Sequence, residues 1–265
     1  MTIVYLAGNT NTRLYMKHVK YGLRSFYYEE PDSIKMYYDN GMHVFLDCGA
    51  FSFLGNNKTD KQPDIENYCT YCHTIKDWVD VYANMDVIDD PEKTLENQDV
   101  MDECGLNSMP VFHKEEDFKY LEHYLKNYDY IGLGGVSDVR GRDSADRWMH
   151  KVMEYVVDLN PTVKIHAFAV TSNTELIKYR FYSADSSTFV DGFRYNKFQK
   201  YKGRGKVYEV DVHKSQNQIG FHYGDAPLNA KIEFSLIAWN KVVEFAKSIV
   251  PSSEEPFTKK EIESI

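Results

Sequence analysis

The stretch Val44-Phe-Leu-Asp47 is a short apolar run that ends in a carboxylate. Three further apolar runs also end in an aspartate or a glycine pair: Val81-Tyr-Ala-Asn-Met-Asp86, Tyr130-Ile-Gly-Leu-Gly134-Gly135 and Phe181-Tyr-Ser-Ala-Asp185. In a (β/α) barrel, residues at the carboxyl ends of the parallel strands gather at one face and form the active site there. The four runs therefore predict one site that is assembled from distant parts of the chain.

Short apolar runs and longer amphipathic segments alternate through most of the sequence. This alternation predicts parallel strands joined by crossover helices. The predicted strands are Ile3–Ala7, His43–Cys48, Val81–Asp86, Ser108–Phe112, Tyr130–Gly134, Lys164–Val170, Phe181–Ala184 and Lys206–Val210. The predicted helices are Ile65–Trp78, Pro91–Glu103, Glu115–Asn127, Ser144–Leu159, Asn173–Tyr179 and Phe234–Val250.

About eight strands in a chain of 265 residues favour a closed barrel over an open sheet. We therefore predict an α/β fold, a (β/α)8 barrel of the TIM type, as a single domain over residues 1–250. Residues 251–265 are rich in serine, lysine and glutamate, which predicts a flexible C-terminal tail.

The composition, 43% hydrophobic and 27% charged residues, is typical of a soluble globular protein. No run approaches the roughly 18 apolar residues that a membrane span needs, so no membrane association is expected. The N-terminus lacks the features of a signal peptide. The cysteines, at positions 48, 69, 72 and 104, do not form a disulfide framework, and we expect a reducing, cytoplasmic setting.

The segment Cys69-Thr-Tyr-Cys72-His73 has the C-x2-C spacing of zinc ligands. It lies inside a predicted helix and has no obvious second pair of ligands. Inert cysteines on a helix are therefore the better interpretation, and no metal site is predicted.

The densest chemical signal is Leu46-Asp47-Cys48-Gly49-Ala50-Phe51-Ser52. Small residues after a strand-end aspartate let the backbone pass close to a ligand, and Phe51 offers a stacking face. The alternative is that Asp47 caps a turn and Phe51 fills the core.

Asp185 lies among hydroxyl side chains in Ser183-Ala-Asp185-Ser-Ser-Thr188. Its carboxylate could attack an anomeric carbon and form a covalent sugar–enzyme intermediate, or it could be an ordinary helix N-cap. The pair Gly134-Gly135 could present backbone N–H groups to a carbonyl oxygen, or it could form only a tight turn.

A basic segment follows Asp185. The net charge of −9 argues against a surface that binds nucleic acid everywhere. Six basic residues with no acidic ones nevertheless occur within one short stretch that also holds three aromatic rings. Such a stretch predicts phosphate contacts and base stacking, with a solvated basic loop as the alternative. The basic residues are Arg194, Lys197, Lys200, Lys202, Arg204 and Lys206.

Taken together, these motifs resemble the tRNA-guanine transglycosylase superfamily, and more closely its shorter phage and bacterial relatives that place 7-deazaguanines in DNA. The resemblance covers about residues 43–190, with the motifs in the family's order. Asp47-Cys-Gly-Ala-Phe51-Ser is similar to the family's D-S-G-G-F-Q stretch. This implies that Asp47 is the general base and Phe51 the stacking aromatic.

The resemblance assigns the remaining site residues as well. It implies that Asp86 is the second base-reading aspartate and that Gly134 and Gly135 bind the purine carbonyl. Phe168, in His166-Ala-Phe168-Ala-Val170, corresponds to the residue that packs on the other face of the base. Asp185 corresponds to the nucleophile.

The chain also departs from the family's pattern. Cys48 replaces the serine of the first motif, and the base-reading glutamine of the tRNA enzymes falls near His113 in Pro110-Val-Phe-His113. The tRNA enzymes carry a C-x-C-x2-C…H zinc site after the nucleophile, whereas this sequence has no cysteine beyond Cys104. We therefore expect a chain that lacks the zinc-binding subdomain.

The function that the resemblance implies is exchange of guanine for a 7-deazaguanine, such as a preQ0-like base, through a covalent aspartyl-sugar intermediate. This is a pentosyltransferase reaction that needs no cofactor. The expected partners are DNA and the free 7-deazaguanine base, in the host cytoplasm if the protein is phage-encoded. The alternatives are a tRNA-guanine transglycosylase, a barrel glycosidase, and a non-catalytic nucleic-acid-binding barrel.

Overall fold

Eight parallel strands form one curled sheet that is flanked by helices. The computed structural model describes residues 1–8, 11–55, 64–135, 142–170, 172–190, 197–211 and 228–265. The strand order is β4-β3-β2-β1-β8-β7-β6-β5. The strands are β1 (Ile3–Ala7), β2 (Tyr21–Ser25), β3 (His43–Asp47), β4 (Val81–Tyr82), β5 (Val111–His113), β6 (Tyr130–Gly134), β7 (Lys164–Ala167) and β8 (Ser183–Ser186).

Helices connect successive strands of the sheet. They are α1 (Thr12–His18), α2 (Pro31–Asp39), α3 (Ala50–Gly55), α4 (Ile65–Ile75), α5 (Pro91–Glu103), α6 (Phe118–Asn127), α7 (Arg142–Leu159) and α8 (Asn173–Tyr179). A 3-10 helix (Thr188–Val190), α9 (Leu228–Ala246) and α10 (Lys259–Ser264) follow β8. The alternation of strand and helix confirms the predicted α/β class. Within the described residues, no helix combines the length and the apolar character that a membrane span requires.

The two edge strands of the sheet meet at a single point. Ala83, just after β4, pairs with Met109, just before β5, in an isolated parallel bridge. The Met109 backbone N–H donates to the Tyr82 carbonyl and the Met109 carbonyl accepts from Asn84 N–H, both at 2.9 Å. The arrangement is therefore similar to a TIM barrel, but no continuous ladder of hydrogen bonds joins β4 to β5, so the barrel is not closed.

Aromatic rings fill the inside of the curl. Tyr5 of β1 contacts Phe45 of β3 with the ring centroids 5.3 Å apart. Phe45 contacts His166 of β7 at 4.5 Å, and His166 contacts Phe168 at 4.5 Å. Because β3 and β7 are not adjacent in the sheet, these contacts cross its interior. They form a packed layer beneath the carboxyl ends of the strands.

The expected barrel strand Lys206–Val210 is not part of the curled sheet. It belongs to β10 (Lys206–Asp211), which pairs antiparallel with β9 (Lys197–Gly203) in a separate two-stranded hairpin. Gly203, Arg204 and Gly205 all have positive φ angles, of 106°, 50° and 71°. This left-handed turn reverses the chain, so that β10 pairs with β9 rather than with the sheet.

The eighth strand of the sheet is instead β2, which the sequence pattern did not predict. Its sequence, Tyr-Gly-Leu-Arg-Ser, contains an arginine and a glycine, which are poor signals of a buried strand. Arg24 is nevertheless buried, because its guanidinium donates to Glu29 at 2.6 and 2.9 Å and lies over the rings of Tyr15 and Tyr37.

The segment 251–265 differs from the flexible tail that was expected. It contains α10, whose first turn has a capping box between Thr258 and Glu261. Ile262 of this helix is only 2% exposed. The Phe257 ring lies 3.9 Å from the guanidinium of Arg180, and α10 contacts α7. Isolated apolar residues in a polar segment are thus enough to dock it.

Candidate active site

Three aspartates from separate strands come together at the carboxyl end of the sheet. Asp47 is the last residue of β3, Asp86 follows β4, and Asp185 lies in β8. Burial, followed by the negative charges of Asp86 and Asp185, raises the pKa of Asp47 to about 8. Both charges therefore lie close enough to act on Asp47, and Cys48, the next residue, hydrogen-bonds to Asp86.

Asp47 is held by the turn that follows its strand. The Gly49 backbone N–H donates to Asp47 Oδ2 at 3.2 Å. Gly49 has a φ of 89°, and a Cβ atom there would lie 2.7 Å from Ser25 Oγ. Only glycine fits this position, which explains why small residues follow the aspartate. With a pKa near neutrality, Asp47 can gain and lose a proton.

Asp86 belongs to a buried ion cluster. Its Oδ2 lies 3.0 Å from His113 Nε2, while His113 Nδ1 lies 3.2 Å from Glu116 Oε1. Burial alone would lower the pKa of His113, but the hydrogen bonds and charges of the two carboxylates raise it to about 10. His113 is therefore an imidazolium at neutral pH, held between two carboxylates.

Cys48 completes the surroundings of Asp86. Its Sγ donates to Asp86 Oδ1 at 2.7 Å. Burial, followed by the charges of Asp86 and Asp47, raises the pKa of the Cys48 thiol well above its usual value. The thiol therefore stays protonated and remains a donor, as a serine hydroxyl would be in the same place.

Asp185 is anchored through one of its two oxygens. The Ala169 backbone N–H donates to Asp185 Oδ1 at 2.8 Å, and His166 Nε2 lies 3.4 Å from the same oxygen. Ala169 has a φ of 57°, a left-handed conformation that is unfavourable for a residue with a side chain. This strained residue directs its N–H at the carboxylate, and strain of this kind clusters at functional sites.

The predicted glycine pair lies beside His113. A Cβ on Gly134 would come within 2.3 Å of His113 Cδ2, so the imidazole ring lies directly on this glycine. The Gly134 carbonyl accepts from Lys114 N–H at 3.1 Å. Gly135 has a φ of 75° and is exposed. The pair therefore makes room for the His113 ring and turns the chain at the end of β6.

The two predicted stacking aromatics differ in their surroundings. Phe51, on α3, is 84% exposed, so the alternative that it fills the core is wrong. Phe168 is half-buried and packs on His166 and Phe45. Gly132 leaves space for its ring, because a Cβ there would lie 2.8 Å from Phe168 Cε2. Phe168 thus belongs to the aromatic layer below the aspartates.

The basic segment is part of the β9–β10 hairpin. Lys202, Arg204 and Lys206 are exposed and Lys200 is half-buried. The Asn173 side chain, at the start of α8, donates to the Arg204 carbonyl at 2.8 Å. The turn also packs on the last part of α9, where a Cβ on Gly205 would come within 2.3 Å of the Phe245 ring. Arg194 and the side chain of Lys197 lie outside the described residues.

Two residues of the site were missed in the sequence. Glu116 lies in the turn after β5 and pairs with His113 only because that turn folds back on the strand. His166 opens the segment that contains Phe168, and its spacing from Phe168 indicates the same face of a strand. That spacing was a usable signal for its position near Asp185.

The cysteines of the C-x2-C segment lie in α4, as predicted, and both are buried. Burial raises the pKa of Cys69 to about 11 and that of Cys72 to about 12, so both thiols stay protonated. In the parts of the chain that the structure describes, no group of three or more His, Cys, Asp or Glu side chains could hold a metal ion. Comparisons with models of known protein families and with curated proteins found no match for this chain.

Proposed function

We propose that this protein is a DNA guanine transglycosylase on a (β/α)8 barrel, which exchanges guanine for a 7-deazaguanine base. The observation that carries the proposal is the convergence of Asp47, Asp86 and Asp185 from three separate strands. Base exchange by a covalent mechanism requires two carboxylates with different tasks, a nucleophile and a general base. Different surroundings for Asp47 and Asp185 meet that requirement.

In the first half of the reaction, Asp185 attacks C1′ of a guanosine that has left the base stack. The glycosidic carbon cannot be reached inside a duplex, so the nucleotide must flip out. An oxygen of Asp185 forms the new bond to C1′, the C1′–N9 bond breaks, and guanine leaves with the electron pair and takes up a proton from the solvent. The product is a covalent sugar–enzyme ester.

In the second half, a free 7-deazaguanine enters the same pocket. Asp47 accepts its N9 proton, N9 attacks C1′, and Asp185 leaves as a carboxylate. A general base is most effective when its pKa lies near the working pH, and the pKa of Asp47, about 8, fits that role. One glycosidic bond replaces another, so no redox cofactor is needed.

The base would be recognised by residues around this carboxylate pair. Phe51 and Phe168 would stack on the ring, and the Gly135 N–H would bind its carbonyl. Asp86 would accept from the amino edge of the base. Its oxygens already accept from Cys48 and His113, but each carboxylate oxygen has a second lone pair available. His113 would act through Asp86, by fixing its orientation.

Two features favour DNA over tRNA as the substrate. The sequence has no cysteine beyond Cys104, so the zinc site of the tRNA enzymes has no counterpart after Asp185. The exposed Lys202, Arg204 and Lys206 offer a phosphate-binding surface.

The test is incorporation of a labelled 7-deazaguanine into duplex DNA and, in parallel, into tRNA. We expect incorporation into DNA and a covalent protein–DNA adduct that withstands denaturation. Asp185→Ala should lose both, and Asp47→Ala should lose exchange, with the fold of each variant checked by circular dichroism. Near-normal exchange by either variant would show that the substituted aspartate does not have the role proposed for it. Incorporation only into tRNA would show that the protein is a tRNA-guanine transglycosylase instead.

A further inference from the structure

A chain of buried polar groups leads from Asp185 into the interior of the sheet. His166 is fully buried, and its Nδ1 lies 2.7 Å from Ser183 Oγ. The Ser183 hydroxyl lies 2.5 Å from the Tyr130 hydroxyl. At the other end, His166 Nε2 lies 3.4 Å from Asp185 Oδ1; among the described residues it has no hydrogen-bond partner, so this contact is electrostatic. The base-exchange chemistry described above gives His166, Ser183 and Tyr130 no task.

The hydroxyl protons can be arranged along this chain in two directions. In one, Tyr130 donates to Ser183 and Ser183 donates to His166 Nδ1, which leaves the ring proton on Nε2, facing Asp185. In the other, Nδ1–H donates to Ser183, and the bare lone pair of Nε2 faces the carboxylate oxygen.

Only the first direction is compatible with an ionised Asp185. An ionised carboxylate has only acceptor sites, so it is repelled by a lone pair and attracted by an N–H. Burial lowers the pKa of His166 despite the opposing effect of Asp185, which favours a neutral ring. Burial also raises the pKa of Tyr130, so its hydroxyl keeps the proton that starts the chain.

We propose that His166 is a positioning residue for Asp185, held as the neutral Nε2–H tautomer by the hydroxyls of Ser183 and Tyr130. The Ala169 N–H holds Oδ1, the Nε2–H dipole of His166 attracts the same oxygen, and Oδ2 is left to attack the sugar. Among the described residues, no hydrogen bond reaches Oδ2. The task of Asp185 in this inference rests on the proposed function, whereas the tautomer of His166 does not.

The hydrogen-bonded series Tyr130, Ser183 and His166 moves no proton during the reaction. When Oδ2 bonds to C1′, the electron pair of the broken C1′–N9 bond leaves with guanine, and Oδ1 becomes the carbonyl oxygen of the ester. The Nε2–H of His166 faces that oxygen throughout. Its contribution is to orient the carboxylate, and the expected effect is on the rate of the covalent step rather than on DNA binding.

The tautomer can be measured without any substrate. In protein labelled with 15N at histidine, the His166 signal is identified by its loss in His166→Gln. At pH 7 we expect the shifts of a neutral ring protonated at Nε2. In Ser183→Ala, which removes the donor to Nδ1, we expect the Nδ1 shift to move. A ring protonated at Nδ1, or at both nitrogens, overturns the proposal.

The positioning role is tested by kinetics of base exchange. Tyr130→Phe and Ser183→Ala should each lower kcat by about three- to tenfold, as expected for loss of one hydrogen bond, with KM for DNA unchanged. Tyr182→Phe is the matched control, because Tyr182 contacts the Tyr130 ring at 5.4 Å but lies outside the chain. Normal kcat in both chain variants rejects the positioning role. A wild type that neither exchanges base nor forms an adduct rejects the proposed function instead, and the tautomer measurement still decides the state of His166.

Discussion

Asp47 is the residue whose protonation would control the rate of base exchange. Its carboxyl accepts a proton only when it is ionised, and burial with two neighbouring carboxylates raises its pKa to about 8. We therefore predict that kcat rises with pH between about 6 and 8 and levels off above the pKa. A pH–rate profile measured with saturating DNA and free base checks this. A rate that stays constant over this range would show that Asp47 is not the base.

His113 links the site to the stability of the fold. Its pKa is raised from 6.5 to about 10, so its stabilising contribution is complete below pH 6.5 and is lost as the pH rises through 10. His113→Gln leaves Asp86 and Glu116 buried without their cation, which should cost about 3 kcal/mol at pH 7.

Urea unfolding of the wild type and of His113→Gln, at pH 7 and at pH 10, measures this contribution. The difference in unfolding free energy between the two proteins should shrink at pH 10. The control is His73→Gln, because His73 is exposed on α4. An equal difference at both pH values would contradict a charged His113.

The aspartates could be predicted from sequence because each follows an apolar run, and parallel strands bring their carboxyl ends to one edge. The partners of those aspartates could not be predicted in the same way. Glu116 reaches His113 through a turn in which Glu115 adopts a φ of 82°, and this conformation leaves no apolar pattern. Cys48 read as a departure from a family motif, although its buried thiol is a donor to Asp86.

At the scale of elements, α10 shows how little sequence is needed to dock a short helix. Ile262 is its buried residue, while Lys260 is exposed. We predict that Ile262→Ala lowers the free energy of unfolding by about 2 kcal/mol, the lower end for a large aliphatic residue, because the helix is terminal and can adjust. Lys260→Ala, on the same helix, should change it by less than about 0.5 kcal/mol. Equal midpoints of urea unfolding for the two variants would indicate that α10 does not pack on the protein.

The strand errors have a common physical cause. A hydrophobic pattern reveals a buried strand only when the buried side chains of that strand are apolar. In β2 the buried side chain of Arg24 is charged, and it is stabilised by its ion pair with Glu29. The pattern of Lys206–Val210 was that of a strand, but pattern alone does not specify the partner strand. The turn at Gly203, Arg204 and Gly205 sets that partner through backbone conformation.

At the scale of the molecule, alternation of strand and helix was sufficient to predict a parallel α/β fold. Closure of the sheet into a barrel was harder to predict, because it depends on how many residues of each edge strand form ladder hydrogen bonds. The strand Val81–Asp86 was expected to be long, but only Val81–Tyr82 forms a ladder, and one bridge at Ala83 then joins the two edges. The short β4 leaves Asp86 beyond the ladder, where it can bind His113.

The net charge of the whole molecule limits how it can bind DNA. A protein of net charge −9 can bind DNA only through a local basic surface, and neutralised phosphates appear in the salt dependence of affinity. Changing the four basic residues of the hairpin to Gln should weaken duplex binding and reduce the slope of log K against log salt by up to about 3.6, since each phosphate contact contributes about 0.9. A control that removes equal charge elsewhere on the exposed surface should keep the slope, and an equal reduction in both would assign binding to net charge alone. The hairpin residues are Lys200, Lys202, Arg204 and Lys206, and the control residues are Lys20, Lys76, Lys126 and Lys164.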